Sequence, residues 1–148
     1  MKYFVYFSLS GNGDFLANLL KEKGYEPLKI EMVKTPKKIG FFTILKYGGR
    51  AMANKKEDIV DIPLFIKEDD EVIIGSPVWN DRLATPINTI LDKITFNKET
   101  TKFILYPAGT STKKSFKQIE KLGFKNEPIV ISSPLKNKEK VSDLLEDF

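Results

Sequence analysis

The chain has 148 residues, 41% of them hydrophobic and 30% charged, a composition typical of folded domains that argues against intrinsic disorder. It contains no cysteine and no histidine, which excludes disulfides, thiol nucleophiles and zinc-thiolate centres and removes the commonest general base near neutral pH. The net charge of +4 is unevenly placed. Seven basic residues and no acidic one lie between Lys34 and Lys56, leaving 17 basic against 20 acidic residues elsewhere. A mildly acidic body with one basic segment does not suggest a nucleic-acid partner.

No apolar run approaches the roughly 20 residues needed to span a bilayer. Met1 and Lys2 lead straight into an apolar run with no cleavage-site pattern, so the expectation is a cytoplasmic protein without membrane contact, one domain over 1–148. Few side chains suit chemistry at pH 7, which makes a bound cofactor the expected source of any reactivity.

The first predicted strand is the apolar run 3–7. Phe15, Leu16, Leu19 and Leu20 then form one face of a helix closed by Gly24, a residue suited to the left-handed helix exit. In the run 28–32, Lys29 and Glu31 alternate with Leu28, Ile30 and Met32, the pattern of an edge strand. The stretch 33–71 is too long for a simple link and should hold a second helix plus extra turns. There Ile39, Phe41, Phe42, Ile44, Leu45, Tyr47 and Met52 fall at three- and four-residue spacings, predicting a helix that packs one face on the sheet and turns its lysines outward. A third strand is expected at 72–74. Ile87, Ile90, Leu91 and Ile94 mark the next helix, entered through Thr85-Pro86. Strand 103–106, a helix carrying Phe116, Ile119 and Leu122 up to Gly123, strand 129–131, and a last helix with Val141, Leu144, Leu145 and Phe148 complete the series.

Alternating strands and helices predict an α/β fold, a three-layer α/β/α sandwich on a five-stranded parallel sheet of order 2-1-3-4-5. Ligands in such sheets bind beyond the carboxyl ends of the strands, where the strand order reverses. The first exit reads Ser8-Leu9-Ser10-Gly11-Asn12-Gly13, a hydroxyl- and glycine-rich turn able to wrap an anion with backbone amides at a helix N-terminus. The second, Gly75-Ser76-Pro77-Val78-Trp79-Asn80-Asp81, carries the one tryptophan of the chain, placed to stack on a planar ligand or to close the sheet edge over its neighbours. The third, Tyr106-Pro107-Ala108-Gly109-Thr110-Ser111-Thr112, is another small, hydroxyl-rich turn. Asp81 and Arg82 read as a solvated pair at a helix entrance.

The order of strand, Ser-x-Ser-Gly-Asn, helix, Ile-Ile-Gly-Ser-Pro-Val-Trp and a Pro-led amphipathic helix resembles the flavodoxin-like proteins, most closely at residues 3–20 and 71–94. The resemblance implies bound FMN. Ser8, Leu9, Ser10, Gly11, Asn12 and Gly13 would hold its phosphate, Ser76, Pro77, Val78, Trp79 and Asn80 would flank the isoalloxazine, and Ala108, Gly109, Thr110 and Ser111 would line the other edge. Where that family commonly ends its phosphate motif in a hydroxyl residue, this chain has Gly13 followed by Asp14, and both departures are expected to weaken phosphate binding. The expected function is electron transfer through FMN. Alternatives are an FMN-dependent NAD(P)H:quinone-type oxidoreductase and a module of this fold that binds no flavin. The segment between Lys34 and Lys56 would dock an acidic redox partner or the phosphates of a nicotinamide donor. A dinucleotide fingerprint fits less well, because Leu16 stands where the third glycine belongs. No Gly-Lys-Ser or Gly-Lys-Thr occurs, and a phospho-receiver's acidic residues are replaced by Ser8, Ser10 and Ser76.

Overall fold

The computed structural model describes residues 1–37, 39–62 and 65–148, so Lys38 of the basic segment lies outside the described residues. In chain order the elements are β1 (Lys2–Tyr6), α1 (Asn12–Glu22), β2 (Glu26–Lys29), α2 (Phe41–Met52), β3 (Glu71–Trp79), β4 (Arg82–Leu83), α3 (Thr85–Lys93), β5 (Lys102–Tyr106), α4 (Lys113–Lys121), β6 (Ile129–Val130) and α5 (Lys138–Leu144), with a 3-10 turn at Pro134–Lys136. Five strands pair in parallel in the order β2-β1-β3-β5-β6. This is the predicted order, with β4 added as a short antiparallel partner of β3.

Strand alternation divides the core into two layers. Val5 and Phe7 face Val72, Ile74, Ile87, Ile90, Phe103 and Ile119 on the side of α2, α3 and α4. Phe4 and Tyr6 face Leu16, Leu20, Ile73, Ile104, Tyr106 and Val141 on the side of α1 and α5. Because both faces are covered, the central strands read as unbroken apolar runs. No helix among the described residues is long and apolar enough to cross a membrane.

Three expectations are corrected. β2 begins at Glu26, two residues before the alternating run, and Met32 instead forms an isolated antiparallel bridge with Ile59; the edge position tolerates Pro27 inside the strand. β3 does not stop at Ile74 but runs to Trp79, so much of the expected second exit is strand. Asn80 and Asp81, at φ of 50° and 58°, make the two-residue turn into β4, whose backbone twist suits a hairpin. Finally, α2 buries only Tyr47 and Ala51, while Phe41, Phe42, Ile44 and Leu45 are exposed. It presents apolar side chains outward together with Lys46.

Candidate functional site

Gly11 sits at φ +87° immediately before α1, a left-handed conformation that costs glycine little. It turns the chain so that the helix starts inside the loop, at Asn12. The amides of Ser10, Gly11 and Asn12 have no acceptor among the described residues, and a helix N-terminus carries partial positive charge. Ser8 serves the loop itself: its Oγ is nearly buried and accepts a hydrogen bond from the Gly13 amide at 3.0 Å. Ser10 is exposed, with its Oγ accepting from Asn12 Nδ2 at 3.2 Å, and Asn12 Oδ1 accepts from the Leu135 amide at 3.0 Å. That last bond ties the loop to the 3-10 turn before α5, a tether across 123 positions that no local signal announces.

Gly13 is explained by what surrounds it. A Cβ there would come within 2.8 Å of Ser8 Cβ, Tyr106 Oη and Tyr6 Cδ2, so the space of a side chain at 13 is filled by two tyrosines. The Tyr106 hydroxyl donates to the Phe7 carbonyl, and burial pushes it well above the ordinary phenol range. The Tyr6 hydroxyl donates to Asp14 Oδ1 at 2.9 Å; burial first and the Asp14 carboxylate second raise it as well. Both phenols stay neutral donors at working pH. Asp14 also pairs with Lys29 at 2.9 Å. Its charge is therefore met by β2, which removes much of the expected conflict with an anion at the loop.

Beside this loop lies a cleft of about 420 Å³, lined among others by Leu9, Ile44, Tyr47, Val78, Trp79 and Thr110. Trp79 is half-buried and packs edge-on against Phe7 at 5.6 Å and tilted against Tyr47 at 5.5 Å. It closes the sheet edge over its neighbours and also walls the cleft, so the two sequence readings coexist. Asn80 lines the cleft as well, while Gly48 and Gly49 of α2 supply part of the facing wall. Ser76 faces the other way: it is fully buried, its Oγ accepts from the Ala84 amide at 3.1 Å and donates to the Pro77 carbonyl at 2.7 Å. It fixes the β3–β4 hairpin. In the third exit, Ala108, Gly109, Thr110 and Ser111 are exposed; the Gly109 amide donates to Ser132 Oγ at 3.1 Å, and Ser111 Oγ accepts from the Lys113 amide. Tyr47 and Ile44 are cleft residues that the sequence does not single out, because they come from a helix read as a separate docking element.

The Asp81 carboxylate and the Arg82 guanidinium form no ion pair, although Arg82 Nη1 donates to the Asp81 carbonyl at 3.2 Å. Asp81 Oδ1 instead accepts from the amides of Lys114 and Ser115 at 3.1 and 3.3 Å, meeting two free donors at the start of α4.

No family model matches the chain, and no curated protein is similar to it. Solved structures are. A flavoprotein from Lactobacillus acidophilus NCFM, in complex with FMN, is 22% identical, with 92% of this chain and 96% of that one aligned at a TM-score of 0.65. A chain from Bacteroides uniformis ATCC 8492 described as a candidate flavoprotein is 17% identical, covering 95% and 97% at a TM-score of 0.71. A similar candidate from Bacteroides eggerthii DSM 20697 is 17% identical, covering 97% and 96% at 0.64. The fold is flavodoxin-like. In a flavodoxin-like sheet the strand order reverses between β1 and β3, and the loop after β1 and the Trp79 cleft both open at that point, where ligands of open α/β sheets bind.

Proposed function

We propose that the chain binds FMN and transfers electrons through it. The observation that carries this is a juxtaposition. Amides of Ser10, Gly11 and Asn12, without acceptors among the described residues, stand at a helix N-terminus next to an aromatic-walled cleft at the switch point of the sheet. The residues fit the group: a phosphate meets neutral amide donors and the Ser10 hydroxyl, and a planar ring meets Trp79 and the apolar edges of Leu9, Val78 and Ile44. Bound FMN would supply one- and two-electron transfer. The protein's share is to hold the phosphate, fix the ring and limit water around it. The flavoproteins of the same fold support this reading.

The carrier reading is favoured over substrate turnover because the apolar side chains of α2 are turned outward at the rim of the cleft, where they suit contact with another protein. Ile39, Phe41, Phe42, Ile44 and Leu45 are all more than half exposed. Lys34, Lys37, Lys46 and Lys55 have no ion pair among the described residues, whereas Arg50 is held by Glu57 at 2.5 Å and Lys56 by Asp92 at 3.0 Å. An apolar patch fringed by lysines that lack ion pairs among the described residues suits an acidic redox partner. Anaerobic stepwise reduction of the FMN-loaded protein, followed in the visible spectrum, tests the reading. Reduction in two resolved one-electron stages is expected; a single two-electron stage with rapid reoxidation by quinone would assign the NAD(P)H:quinone-type activity instead.

A further inference from the structure

A second concavity, of about 570 Å³, opens between α3 and α4 beside Arg82 of β4. Its lining carries five cations, Lys56, Arg82, Lys114, Lys117 and Lys121, against one carboxylate, Asp92. That carboxylate is already paired with Lys56. No carboxylate oxygen lies within 4 Å of the Lys114, Lys117, Lys121 or Arg82 side-chain nitrogens among the described residues. Asp81, next to Arg82, is spent on the first amides of α4, and Glu120, next to Lys121 on α4, pairs with none of these cations.

Lys114, Lys117 and Lys121 stand three and four residues apart, which puts them on one helix face where like charges repel. A bound anion would relieve that repulsion. The floor is fixed rather than adaptable: Gln118 Oε1 accepts from the Leu83 amide at 3.0 Å, its Nε2 donates to Asn88 Oδ1 at 3.1 Å, and Asn88 Nδ2 donates to the Lys55 carbonyl at 2.9 Å. Leu91 and Leu122 add an apolar wall. Cations without counter-charges around a pre-formed hollow of small-molecule size select a compact polyanion with an attached flat or apolar group.

We propose that this pocket binds a phosphate-bearing small molecule of the nucleoside diphosphate class, its phosphates among Lys114, Lys117, Lys121 and Arg82. The inference does not depend on the flavin site. Calorimetric titration of the full chain with ADP, inorganic pyrophosphate and adenosine at low ionic strength tests it. ADP binding is expected to weaken as salt screens the cations, with pyrophosphate competing and adenosine inert. The double variant K117Q/K121Q should lose about tenfold or more in ADP affinity, on the scale of lost charge-assisted hydrogen bonds, and keep its circular dichroism and FMN affinity. Ser10→Ala should leave ADP binding unchanged, which separates this pocket from the phosphate loop. Failure of both ADP and pyrophosphate to bind at about 5 mM, weaker than any useful affinity, would overturn the proposal. So would parental ADP affinity in K117Q/K121Q.

Discussion

A methyl group on Gly13 would press on Ser8 Cβ, Tyr106 Oη and Tyr6 Cδ2 at once, and two of these belong to the buried strands β1 and β5. Gly13→Ala should therefore destabilise the fold by about 1–3 kcal/mol, the usual cost of overpacking. In a urea-melt double-mutant cycle, Tyr106→Phe should return part of that loss by vacating one of the three contacts; strict additivity would show that the tyrosine does not define the space. Under the proposed function Trp79 would act at the flavin ring. Trp79→Ala should loosen FMN by about 1–2 kcal/mol through the lost aromatic contact and change the flavin's fluorescence quenching, read by titrating the apo-chain. Ser10→Ala should weaken FMN and spare riboflavin, since its exposed hydroxyl faces the loop and not the cleft.

Among the elements, α2 departs furthest from its sequence. It hangs on Tyr47 and Ala51, so Tyr47→Ala should cost about 2–3 kcal/mol in a denaturant melt, while Phe42→Ser, at a residue 83% exposed, should shift stability by no more than about 0.5 kcal/mol. The charge on and around α2 is tested with a small anionic oxidant. Hexacyanoferrate(III) should oxidise the reduced protein more slowly as salt is added, and changing Lys37, Lys46 and Lys55 to Gln should flatten that dependence; an unaltered salt slope would leave the lysines as a solvated face. Periodicity placed this helix correctly because three- and four-residue spacing is local. It could not say whether the apolar stripe is covered, which depends on what packs there. Composition shortens β3 because Gly75, Ser76 and Pro77 have turn character. Yet Phe7 bonds the Gly75 carbonyl as β1 ends, so the nitrogen of Pro77, two residues on, faces a side β1 has vacated and needs no acceptor. The loop after β1 was legible because glycine, hydroxyl and helix start are contiguous. Its tether to Leu135 and the Tyr106 hydroxyl behind Gly13 were not, being contacts across 123 and about 93 positions.

Over the whole molecule the two edges of the sheet divide the work. The carboxyl edge carries the loop and the cleft; the opposite edge is locked by charge. There the Met1 amine meets Asp70 Oδ1 at 2.9 Å, the Lys67 amide meets its Oδ2 at 2.7 Å, and Tyr25 donates to Glu71, which also pairs with Lys2 at 3.5 Å. The Lys67 amide first and the chain terminus second hold the Asp70 carboxyl below its ordinary 3.8. A carboxyl depressed by folding adds stability at pH above its unfolded value, and that stability is lost as pH falls through the folded value. The parent should thus lose stability below about pH 3.8 and Asp70→Asn should flatten that limb, measured as melting temperature against pH. At the other edge, under the proposed function, amides at a helix start would hold a phosphate. The most direct measurement is the affinity of the apo-chain for FMN against riboflavin, which differ only in that group. FMN should bind at least about a hundredfold tighter, as several charge-assisted hydrogen bonds would give; equal affinity for the two would contradict the phosphate site and the function built on it.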